Sequence, residues 1–148
     1  MALSSLLQQA RQATTAIPRL SKAALSAGLG PAGAAQVVMI SGQALRVAAG
    51  QAGEPGRQNA VRHFIWQSLL TARFGRDVAA SIAEAQEVGT PDLTDSKVDR
   101  HNNAVGQAYG EEHANEYGDL PIADALARLT EVALTKWAAD ELIWVKKH

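Results

Sequence analysis

Apolar residues recur at three- and four-residue intervals along nearly the whole of this chain, and no stretch sustains the two-residue alternation of a half-buried strand. A chain patterned this way is expected to be all-α. Gly and Pro then divide it. Helices are expected at 2–16 and 19–27, the second stopped by Gly28 and Gly30. An apolar helix follows at 31–49, and Gly50 to Gly56 reads as a loop. Further helices are expected at 57–74, stopped by Gly75, at 76–88, stopped by Gly89, Thr90 and Pro91, and at 95–117. Gly118 and Pro121 set the start of a long last helix, from 122 to about 146, which should bury Leu126, Leu129, Ala133 and Trp137. The 148 residues, 47% hydrophobic, suffice for one core. The expectation is a single compact helical domain over 1–148 of about six or seven helices. Its motif-bearing core is 57–117, and 1–50 reads as an N-terminal helical extension.

Charge narrows the function classes. Fourteen Lys and Arg stand against fifteen Asp and Glu. General nucleic-acid binding is therefore not expected, because its affinity comes from excess basic charge on phosphates. The absence of Cys excludes disulfides, thiolate zinc sites and a Cys nucleophile. The N-terminus lacks the basic start and apolar run of a classical signal peptide. Gln36, Ser41, Gln43 and Arg46 interrupt 31–49, so that segment reads as a core helix rather than a transmembrane one. A soluble protein is expected, cytoplasmic or delivered by a non-classical route.

Two polar islands break the Ala- and Leu-rich pattern: N-A-V-R-H-F-I-W from Asn59 to Trp66, and D-R-H-N-N-A-V-G-Q-A-Y-G from Asp99 to Gly110. Asn, Asp and Gly are poor helix-interior residues, so their use inside helices marks a place where stability is given up, as at functional sites. Asn59, Arg62, His63 and Trp66 share one helical sector, opposite Val61, Ile65 and Leu69. That sector reads as the lining of a cleft or as a surface stripe. In 76–88, Gln86 falls in the middle of the apolar face, with Glu87 at its edge. A buried Gln needs hydrogen-bond partners. In 95–117, Asp99, Asn103, Gly106 and Gly110 align on one side, where the glycines admit a close approach by a helix or ligand. His101 points elsewhere, among apolar residues, and is expected to be more buried than His63.

The combination N-A-x-R-H-x-x-W, A-x-E and D-x-H-N-N-x-x-G resembles an uncharacterised family of bacterial domains that often sit at the C-terminal end of secreted or polymorphic-toxin-like proteins. The resemblance covers about 59–106. It marks Asn59, Arg62, His63, Trp66, Glu87, Asp99, His101, Asn102, Asn103 and Gly106, and implies a toxin- or effector-like role. It also implies a His beside Glu87; this chain has Gln86, which can donate a hydrogen bond but cannot titrate.

Phosphate loops, dinucleotide fingerprints, nucleophile elbows and H-E-x-x-H are all missing from the sequence. Asp92, Asp95 and Asp99 lack EF-hand spacing and read as solvated loop or capping residues. The leading expectation is a helical hydrolase with His63 as general base. Asp99 or Glu87 would orient the imidazole or bind a divalent cation, while Arg62 and Asn102 stabilise an anionic transition state. Asn59, Trp66, Gln86, Asn103 and His101 would complete the substrate site, and an ester or phosphodiester, lipid included, fits its chemistry. The alternative is a non-catalytic structural or partner-binding module whose islands form a buried polar network. A third reading is a domain that binds an immunity-like or carrier protein through its long last helix.

Overall fold

Gly30 leaves the backbone extended, and Pro31 then starts a helix with its φ already set. The same device, Glu54 followed by Pro55, opens the next helix. A computed structural model describes residues 18–87 and 93–144. The expected helix at 2–16 and the turn at 89–91 lie outside these residues. Among them the elements are all helices: α1 (18–26), α2 (Pro31–Ala49), α3 (Pro55–Phe74), α4 (Arg76–Glu87), α5 (Leu93–Glu112), α6 (Ala114–Tyr117) and α7 (Ile122–Ala138). The architecture is all-α in one compact domain.

The third helix is the axis of the fold. It packs most extensively on α5 and also against α7, α2, α4 and α6. Residues 63–71 are buried without interruption, so α3 has no solvent face over those turns. This corrects the expectation of a surface stripe: His63 and Trp66 are interior, and Asn59 and Arg62 are half-buried. Trp66 donates its Nε1–H to Ser41 Oγ at 2.8 Å, and Ser41 in turn donates to the Val37 carbonyl. The neighbours supply ordinary apolar stripes, Ala34, Val37, Ile40, Ala44 and Ala48 from α2 and Ala125, Leu126, Leu129 and Ala133 from α7. Trp137 lies half-buried at the edge of the expected α7 face. No helix among the described residues is long and apolar enough to cross a membrane.

Two helix ends differ from expectation by more than two residues. The helix expected at 95–117 is interrupted at His113, which leaves α6 as a separate turn. The last helix stops at Ala138, about two turns early. There Asp140 takes a left-handed conformation (φ 61°). The Asp140 N–H bonds to the Trp137 carbonyl, and the Glu141 N–H to that of Lys136. This pair of bonds is the Schellman termination. The chain beyond it turns back onto the core, and Leu142 is fully buried.

A polar ladder between two helices

The islands meet along the contact of α3 and α5, which run in the same direction with α4 as the return. Asn59 pairs with Asp99, His63 with Asn103 and Gln67 with Gln107, each pair one helical turn beyond the last. The Asn59 amide donates to Asp99 Oδ1 at 2.9 Å. The His63 Nδ1–H donates to Asn103 Oδ1 at 2.8 Å, and Gln107 donates to Gln67 Oε1 at 2.7 Å. Close approach depends on Gly106 and Gly110: an added Cβ would lie 2.7 Å from the Phe64 carbonyl oxygen and 2.3 Å from that of Ser68. Glycine here admits a helix.

Arg62 ties the first two rungs together. Its Nη2 donates to Asn59 Oδ1 and to His63 Nε2, both at 3.0 Å. Burial is the main force holding His63 well below its ordinary range, to about 4, with the Arg62 cation acting in the same sense. Asp99 and Asn103 pull the other way and lose. The ring is therefore neutral near pH 7, with Nδ1 protonated and the Nε2 lone pair directed at Arg62. Asp99 Oδ1 stands 3.4 Å from Nε2, an ion pair only once the ring is protonated. Burial also lowers the Arg62 guanidinium, opposed by the Asp99 and Glu87 charges, yet an Arg remains protonated throughout the usual pH range.

Glu87 closes α4 and is buried. Burial raises its carboxyl above the usual range, while a hydrogen bond with Ser96 lowers it and the Asp99 charge adds to the rise. Among the described residues its Oε2 has no partner, and neither has the buried Gln86 Oε1. The expected partner of the Gln86 oxygen is thus not found among the described residues, and no bond joins Gln86 to the ladder there.

Asn102 and His101 serve another purpose. The Asn102 side chain grips Ile143 at both ends, accepting from its N–H and donating to its carbonyl, each at 2.9 Å. Fully buried and committed at both its oxygen and its nitrogen to Ile143, that amide is placed to hold the C-terminal segment rather than an anionic transition state. His101 is exposed, its Nε2 3.0 Å from the Glu141 carbonyl. The burial order of the two histidines is the reverse of expectation, because the α5 face holding His101 meets the returning C-terminal segment and solvent rather than the core. A divalent cation finds a poor donor set here. Asp99 Oδ1 and both His63 nitrogens are engaged, and Arg62 already supplies a positive charge to Asp99 and Glu87. Among the described residues no group of three His, Cys, Asp or Glu is placed to hold a metal.

Residues 29–133 match a family described as Domain of unknown function (DUF6973). The chain belongs to this family. No curated protein and no solved structure matches it. The family span holds the whole ladder and ends before the Schellman turn of α7. Sequence reasoning had passed over Gln67 and Gln107. The available signal was cadence, since Asn59, His63 and Gln67 recur at four residues, as do Asp99, Asn103 and Gln107.

Proposed function

We propose that this member of the family is a non-catalytic helical module whose polar ladder locks α3 against α5 and so holds its outer helices rigid for a partner. One observation carries the reading: His63 is 1% exposed and both of its ring nitrogens are engaged. A general base needs its lone pair within reach of the proton it removes. In His63 that lone pair faces Arg62. The resemblance to C-terminal domains of toxin-like bacterial proteins adds the kind of partner, an immunity-like or carrier protein.

A toxin-like hydrolase acting on an ester or phosphodiester, lipid included, is the second reading. The side chain of Asp99 keeps 13% of its exposure, and the unpartnered Glu87 Oε2 is a feature a closed structural network does not need. In this reading Arg62 would swing onto the anion, freeing His63 Nε2 as base. Expression in bacteria, in the cytoplasm and with export, separates the two. A module leaves growth unchanged, while His63→Ala and Asp99→Ala each lower stability by about 1–3 kcal/mol through unpaired buried groups. A hydrolase arrests growth, and both substitutions relieve the arrest with the fold intact. If the wild type is inert and Gln86→His gains activity, the chain is a disabled relative of an active enzyme.

A further inference from the structure

The segment after α7 is held as a bound peptide would be. Asn102 satisfies both main-chain groups of Ile143, the service that a neighbouring strand performs in a sheet and one independent of side-chain identity. Leu142 is a fully buried anchor. Trp144 lies flat on Gly56 in the first turn of α3, where an added Cβ would stand 1.7 Å from the indole Cδ2. Glu141 is fixed through its carbonyl near His101 and its carboxylate on Lys136 Nζ at 3.2 Å. The dock is thus built by α5, α3 and α7, from residues remote in sequence from most of what they hold.

The hinge leading into this dock is short and strained. Asp140 is the one non-glycine residue with positive φ among the described residues. The left-handed region costs an L residue roughly 1–2 kcal/mol, less for Asp than for most. Ala138, Ala139, Glu141 and Leu142 are all capable helix formers, so local preference runs against the turn that the dock imposes. Opening the hinge relieves Asp140 and exposes both the arm and an empty dock. Short strained hinges of this kind favour exchange of the same element between copies.

We propose that the dock also accepts the 141–144 arm of a second copy, so that the chain forms a reciprocal arm-exchanged dimer hinged at Asp140. The contacts that hold Leu142, Ile143 and Trp144 within one chain are then made between chains, and each dock is completed by the other copy's Leu142 and Trp144. This does not depend on whether the ladder is structural or catalytic, since neither Asn102 nor the arm takes part in it.

Complementation tests the exchange. Leu142→Asp gives a chain with a sound dock and no usable arm; Asn102→Ala gives a sound arm and a weakened dock. Wild type refolded at high concentration should show, by light scattering after gel filtration, a species of doubled mass whose share rises with concentration. Each variant alone should stay monomeric, and their mixture, refolded together, should yield a one-to-one heterodimer. Should Leu142→Asp lose its helical circular dichroism, deletion of 141–148 supplies the armless chain. A wild type that remains monomeric at every refolding concentration overturns the proposal. So does a dimer that persists in both the Leu142→Asp and the armless chain, because it would be held by another surface.

Discussion

His63 gives the molecule a built-in response to acid. In the unfolded chain a His takes its proton near pH 6.5, whereas the folded ring resists until about 4. Between those values the unfolded state binds the extra proton, so stability is full above about 6.5 and falls as the pH drops toward 4. The span corresponds to roughly 3 kcal/mol at the acid end. Glu87 acts in the opposite direction: its raised folded value adds stability in acid that is lost as the pH rises through it. Urea unfolding at pH 7 and pH 4.5 should therefore show a smaller free energy at the lower pH, and His63→Gln should remove most of that difference. An unchanged pH dependence in His63→Gln would place the acid response elsewhere. Asp140 shows at the same scale why part of the fold was hidden in the sequence. The end of α1 carries the same pair of terminating bonds as α7, with Gly28 in the left-handed position, and that glycine announces the stop. Asp140 does the same work without the glycine, so a helix continued to about 146 was the natural reading.

Helix against helix, the ladder depends on what α5 lacks. Gly106 and Gly110 leave α5 bare where the α3 carbonyls pass, while Gly42 on α2 meets nothing within 4 Å. The two kinds of helical glycine should respond oppositely to alanine. Gly110→Ala should cost about 1–3 kcal/mol, because a main-chain carbonyl cannot give way as a flexible side chain can. Gly42→Ala should add roughly 0.5–1 kcal/mol through helix propensity alone. Thermal unfolding of the pair checks both signs. The sequence displayed the α5 stripe of Asp99, Asn103, Gly106 and Gly110, and that stripe does form the contact with α3. What it did not display is that α3 is enclosed on all sides over residues 63–71. A helical wheel assigns a polar sector to solvent by default, and only the partner helix, with its own polar sector at the same cadence, reverses that assignment.

For the molecule as a whole, the all-α class and most helix boundaries followed from periodicity and Gly/Pro punctuation, since local signals suffice for them. The C-terminal return did not, because it depends on Asn102, Gly56 and the core residues that bury Leu142, which lie far from it in sequence. The spacing of the rungs has a kinetic consequence. Each of the three joins residues 40 positions apart, so the first to form must close a loop whose length-dependent entropic cost is about 3 kcal/mol. Once that loop is closed, the second and third rungs add almost no further chain ordering. The contact should therefore assemble as a zipper with one slow initiation, and it should open the same way. Native-state hydrogen exchange should find the central amides of α3 and α5 released at one common free energy. Separate release of the two helices would mean that the rungs bind independently and that this interface has no shared threshold.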